Sequence, residues 1–169
     1  MDVNSAGMMA RYKQWSNKVM FDAVAALPAG EAEKPRASLF KNMVHTLNHI
    51  YVIDRIWQAH LEGRGHGYEA RNTRDHPPLG ELWRLQQEAD AWYVAWADGQ
   101  TGASLGEKVN YTLIGGNRGE MTRGEILLHV LMHANYHRGY VAEMFYAVPG
   151  CRPPAMDLPV YVREGRAAV

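Results

Sequence analysis

Apolar residues recur at steps of three and four in four separate stretches of this chain, and Pro or Gly signals divide them. Residues at those steps share one face of a helix. The first stretch predicts a helix over 6–27, with Met9, Tyr12, Trp15, Ser16, Val19, Met20 and Ala23 on its inner face and Pro28-Ala29-Gly30 ending it. The second runs from Ser38, a candidate N-cap, to Glu62-Gly63, with Phe40, Met43, Val44, Leu47, Ile50, Tyr51, Asp54 and Trp57 inside. The third has Pro77-Pro78 in its first turn and ends near Asp98-Gly99. The fourth opens with Thr122-Arg123-Gly124-Glu125, the pattern of a capping box, and runs to about Val148 before Pro149-Gly150. Between the last two, Val109, Tyr111, Leu113 and Gly115 alternate with polar residues, and Gly115-Gly116-Asn117 signals a turn. The tail, with Val160-Tyr161-Val162, is expected to lie extended along the outside. The expected fold is all-α: one four-helix-bundle domain over 1–169, with a short extended or hairpin segment before the last helix.

The 169 residues suffice for one core. Eighteen basic and eighteen acidic side chains cancel, and no basic run marks a nucleic-acid surface. No apolar run reaches the length of a membrane span. Arg11 and Lys13 interrupt the apolar residues near the start, so no secretion signal is expected. The single cysteine, Cys151, forms no internal disulfide and suits a reducing compartment. A cytoplasmic protein is the expectation.

The chemistry concentrates in His129-Val130-Leu131-Met132-His133-Ala134-Asn135-Tyr136-His137-Arg138-Gly139. Histidines four apart lie one above the other on a helix and can aim two imidazoles at one point. His45 and His49 form a second pair on the second helix. Two nitrogens from the fourth helix and one from the second would make a three-nitrogen site with an open position, as catalytic sites have. Zinc, nickel and iron all accept such ligands. Each step of four turns the helix by about 40°, so a compact site takes adjacent members. His133 and His137 are the chosen pair, because Gly139 just beyond leaves room for a neighbouring helix. His129 is expected in the core or beside a ligand. Between His45 and His49 the residues alone do not decide. Tyr136 or Arg138 is a candidate substrate contact. Asp54, a carboxylate on an inner face, needs a partner and is a candidate to orient a ligand imidazole. Because imidazole must be neutral to bind, metal affinity is expected to fall as pH drops through roughly 6.5.

Other chemistries fit less well. His-Glu-x-x-His is absent, and Glu125 precedes His129 by four rather than the three of di-iron bundles. There is no Gly-x-Ser-x-Gly and no phosphate loop. Cys151 follows a Pro-Gly turn with no histidine beside it in sequence, so it reads as inert. No residue stands out as a general base, and the catalytic residues stay unassigned.

Three stretches resemble the DinB family, within the DinB/YfiT-like superfamily of metal-dependent bundle proteins. They are Tyr12 to Lys18, Thr46 to Ile50 followed by Asp54 to Trp57, and His129 to Gly139. The tail from Pro153-Pro154 through Asp157 to Tyr161 is similar too. The resemblance implies an up-down-down-up four-helix bundle, often a homodimer. It places the metal triad on His49, His133 and His137. It carries no implication of DNA contact and delivers no substrate. Distant members use a low-molecular-weight thiol such as bacillithiol or mycothiol. Tyr136 departs from a frequent histidine, and Ser16 from a frequent alanine. The expected function is a divalent-metal-binding protein, either a thiol S-transferase or hydrolase or a non-catalytic stress-response protein.

Overall fold

The computed structural model describes residues 1–164, so the end of the expected 1–169 domain lies outside it. Helix makes up 58% and the rest includes one small sheet, so the chain is mostly helical as expected of an all-α protein. In chain order the elements are α1 (Val3–Ala25), α2 (Met43–Leu61), α3 (Leu79–Asp98), α4 (Gly102–Leu105), β1 (Lys108–Thr112), β2 (Arg118–Thr122), α5 (Arg123–Phe145) and α6 (Leu158–Arg163). Among the described residues, no helix is long and apolar enough to cross a membrane.

Local chemistry sets the boundaries. Asp2 accepts from the Ser5 amide and caps α1. Asn42, not Ser38, caps α2, its Oδ1 accepting from the His45 amide at 2.7 Å. The segment before Asn42 is therefore irregular, and Phe40 is not on a helix. The capping box at Thr122 and Glu125 forms as the sequence predicts. It starts α5 at the very end of β2, so the antiparallel hairpin, with Lys108 opposite Thr122, feeds directly into the helix. Gly119 sits opposite Tyr111. A Cβ there would collide with the Tyr111 ring, which instead crosses the strand and packs edge-on to Trp57 at 5.0 Å. The tail is not extended over 158–163. Asp157 and Pro159 start the short helix α6, which buries Tyr161 against Tyr12 and Trp15. Alternation in three residues was too short a pattern to separate strand from one turn of helix.

Each long helix packs on others through side-chain pairs that also give its direction. Arg11 meets Asp98 at one end of α1 and α3, and Phe21 stacks on Trp83 at the other, so the two run antiparallel. His49 meets His137 while Trp57 meets His129, so α2 and α5 are antiparallel too. One core cluster joins Ala10, Trp57, Tyr93 and Leu127. A second joins Met20, Leu47, Leu82 and Phe145.

A buried ionic network lies among these helices. Lys13 Nζ donates to Asp54 Oδ2 at 2.6 Å and to Asp90 Oδ1 at 2.5 Å, with all three side chains sealed from water. Asn17 Nδ2 donates to both Asp90 oxygens at 3.0 Å. Arg138 Nη1 donates to Asn17 Oδ1 at 2.7 Å. Gln86 Nε2 donates to Asp54 Oδ2 at 2.8 Å. The chain of contacts thus touches α1, α2, α3 and α5. Breaking a buried pair strands the remaining charge. Lys13→Met is expected to lower the unfolding free energy by about 3–5 kcal/mol, measured by urea denaturation; a loss below about 1 kcal/mol, the value of an exposed pair, contradicts the burial described.

Candidate metal centre

His49 on α2 and His133 and His137 on α5 come together. One ring nitrogen from each lies within 4.8 Å of the other two. Ring centroids are 4.8 Å apart for His49–His133, and 4.4 Å for His49–His137 and for His133–His137. The α5 pair follows from the four-residue spacing. The α2 contribution follows from antiparallel packing, which brings the first turns of α2 beside the second half of α5.

The tautomer of His49 is set by its surroundings. Its Nδ1–H donates to the Arg71 carbonyl at 2.6 Å, so its Nε2 carries a bare lone pair. Such carbonyl contacts orient metal-ligating imidazoles. His49 Nε2 faces His133 Nε2 at 3.0 Å. Two nitrogens held at zinc-like distances on one tetrahedral ion stand about 3.3 Å apart, so the observed spacing fits a shared cation. The Nδ1 atoms of His133 and His137 are buried and have no protein partner.

Electrostatics keep the cluster neutral. Burial first, then the neighbouring imidazoles, push the His133 pKa down to about 2. Burial and His49 push that of His137 down to about 4. Burial also lowers His49. The proton therefore competes for these nitrogens at more acid pH than the ordinary histidine value suggests, which corrects the expectation of a change near 6.5.

The remaining sequence candidates fall elsewhere. His45 points its Nε2 at the Thr73 carbonyl, 3.0 Å away, and stands outside the cluster. His129 packs against Trp57 at 4.9 Å and lies 5.8 Å from His133, adjoining the triad without joining it. Asp54 pairs with Lys13 and Gln86 in the core and orients no imidazole. Arg138 is fully buried on Asn17, so it is no surface contact for a substrate. Among the described residues nothing packs within 4 Å of where a Gly139 Cβ would sit, so the room left there is not used by a neighbouring helix. Tyr136 is exposed, packs edge-on to His137 at 5.1 Å, and its hydroxyl pairs with that of Tyr140 at 2.6 Å. Sequence reasoning missed Phe40 as a site residue. Its ring stacks on His49 at 4.3 Å and lies 5.7 Å from His137. Its position four before Val44 suggested an inner helical face, so only the Asn42 cap could have placed it in a loop.

These features define a mostly helical protein with a three-histidine cluster that can hold a metal ion. The sequence pattern of the DinB family matches residues 1–166, and the chain belongs to the DinB family. Protein DinB of Bacillus subtilis (strain 168) is 22% identical over 139 residues, covering 79% of this chain and 80% of that protein.

Depressed histidine pKa values have a definite sign in stability. Unfolded histidines take protons near 6.5, before the folded ones do. Stability of the metal-free protein is therefore full above about 6.5 and declines as pH falls toward the folded values. In metal-free protein, the His137 ring resonances are expected to titrate with a midpoint near about 4; a midpoint near 6.5 contradicts the burial and repulsion described.

Proposed function

We propose that this chain holds one divalent metal ion on His49, His133 and His137 and acts as a metal-dependent enzyme, with thiol S-transfer favoured over hydrolysis. The observation that carries the reading is the facing pair of Nε2 atoms, 3.0 Å apart, with the His49 lone pair fixed by the Arg71 carbonyl. Neutral imidazoles are the metal-binding form, and burial keeps these neutral. Zinc, nickel and iron each suit three nitrogens. When bound, the ion would lower the pKa of a thiol or water in its open position.

The chain's own residues favour the thiol. The rings that touch the triad, apart from its own histidines, are Phe40, His129, Tyr136 and Tyr140. Among the described residues no Asp or Glu joins the cluster of possible ligand atoms, which leaves activation of water without a neighbouring carboxylate base. A thiol delivered as thiolate needs no such base. A low-molecular-weight thiol is the proposed co-substrate. The same lack of a base also supports a second reading, a metal-binding protein of the stress response without catalysis. Metal-loaded protein assayed with electrophiles and candidate thiols separates the two: turnover lost in His137→Ala supports the enzyme.

The architecture we propose is a single-domain four-helix bundle of up-down-down-up order, supported by the antiparallel α1–α3 and α2–α5 pairs. A homodimer is proposed on the outer face of α5, where Leu128, Met132 and Tyr136 are exposed at steps of four. The lone cysteine suits the cytoplasm, and the balanced charge gives no reason for a nucleic-acid partner.

Elemental analysis of untagged protein is expected to find one metal equivalent per chain. His133→Ala or His137→Ala should weaken binding by at least about 100-fold, the upper range for disturbing even an outer contact of a ligand. Purified protein that takes up no divalent metal overturns the proposal. Met132→Glu is expected to convert dimer to monomer in light scattering while leaving metal content unchanged.

A further inference from the structure

Phe40 belongs to an irregular strap, residues 36–42, that crosses beside the triad. The strap is tied mainly to itself: the Arg36 amide donates to the Lys41 carbonyl, and the Lys41 amide to that of Ser38. Lys41 takes φ +67°, alone among the described non-glycine residues in the left-handed region, a conformation that costs energy in a side-chain-bearing residue. The strap's outer end is held by Arg36, which pairs with Glu31 at 2.7 Å. Between strap and helix α5 lies a cleft of about 400 Å³, lined by Arg36, Ala37, Ser38, Tyr140, Glu143, Met144 and Ala147. The Ser38 hydroxyl oxygen there is buried and has no partner.

The cleft adjoins the metal centre at Tyr140. Tyr140 lines it and stands 5.8 Å from the His137 ring. Phe40, two residues from Ser38, covers His49 and leans on His137 and His45. A ligand that extends from the cleft to the triad passes the Tyr140 and Phe40 rings. Such walls favour an apolar or aromatic body and disfavour an anionic one, because Glu143 lines the cleft and Arg36 is already engaged by Glu31.

We propose that Phe40 is a specificity-determining residue of this centre: with Tyr140 and the Ser38 hydroxyl it selects a thiol or other donor carried on an apolar, ring-sized body that lies in the cleft between the strap and α5. This rests on the metal-binding reading and adds the class of ligand. The Phe40 ring packs against that body, and the Ser38 Oγ–H donates to a polar atom upon it.

The test uses the full chain loaded with Co²⁺, whose visible spectrum reports both histidine ligation and a bound thiolate. Benzyl mercaptan and 2-mercaptoethanesulfonate are titrated against wild type, Phe40→Ala and Ala147→Trp. Wild type should bind the aromatic thiol at least about tenfold more tightly, the scale of one good aromatic contact with its buried area. Phe40→Ala should lose that preference while its Co²⁺ affinity stays within about threefold. Ala147→Trp, which fills the cleft without touching Phe40, should weaken the aromatic thiol only. Co²⁺ binding with equal preference in wild type and Phe40→Ala overturns the proposal while sparing the metal centre. An aromatic thiol indifferent to Ala147→Trp overturns the role of the cleft. Failure of wild type to bind Co²⁺ through histidine overturns the metal reading itself, and this inference with it.

Discussion

Everything in this molecule is registered by a lysine that water does not reach. Lys13 sits between Asp54 and Asp90, each within ordinary ion-pair distance, and all three are buried. Taking such charges out of water is costly, and the cost is recovered only when every partner is in place. A slipped or rotated helix would leave a bare charge inside, so the network penalises wrong packings more strongly than an apolar core would. Its reach extends to the site. Asn17 clasps Asp90 with one end of its amide and receives Arg138 with the other. Arg138 follows His137 directly, and successive helical residues diverge by about 100°. Holding Arg138 toward α1 therefore turns His137 toward α2, where His49 waits.

The triad depends on the same exclusion of water. Desolvation and mutual repulsion disfavour protonation of His133 and His137. That makes them ready ligands, since no proton must leave before a cation enters. It also makes them poor general bases, because a group with so low a pKa holds a proton weakly at neutral pH. The environment that equips the cluster for a metal thus argues against acid–base work by the bare imidazoles, and it is consistent with chemistry delivered by a bound cation and a thiolate.

How much of this the sequence carried varies by residue. The α5 pair was legible because both histidines share one helix, where spacing alone fixes direction. The choice of His49 over His45 was not, since it depends on which of two neighbouring residues a distant loop carbonyl engages: Arg71 takes His49, and Thr73 takes His45. Asp54 was rightly read as a carboxylate in need of a partner, but its partner, Lys13, lies on another helix and breaks the apolar pattern of α1. Arg138 misled for the same reason, because a charged residue beside a site suggests solvent and substrate. The hairpin and the Thr122 cap were legible because their signals are local. The α2 start was misplaced because Ser38 and Asn42 are both competent caps, and only packing of the strap decides between them.

The chain has eight histidines, yet only three converge. The others show what convergence requires. His45 and His76 spend a ring nitrogen on the carbonyls of Thr73 and Pro77, at 3.0 and 2.9 Å. His66 accepts from the Tyr68 amide at 3.0 Å. His60 is the closest parallel to His49. Eleven residues on along α2, it lies almost on the same face of the helix, within about 20°. Like His49 it engages a backbone group, here Thr112 at the end of β1, and its Nε2 is buried without a hydrogen-bond partner. The difference is what stands opposite. His49 faces His133 and His137, whereas His60 faces Trp57, His66 and Tyr111, and the nearest α5 histidine, His129, is itself packed on Trp57. A buried imidazole with a fixed tautomer is thus not sufficient for a metal centre; the facing helix must present lone pairs at the same height, and only the lower half of the α2–α5 contact does so.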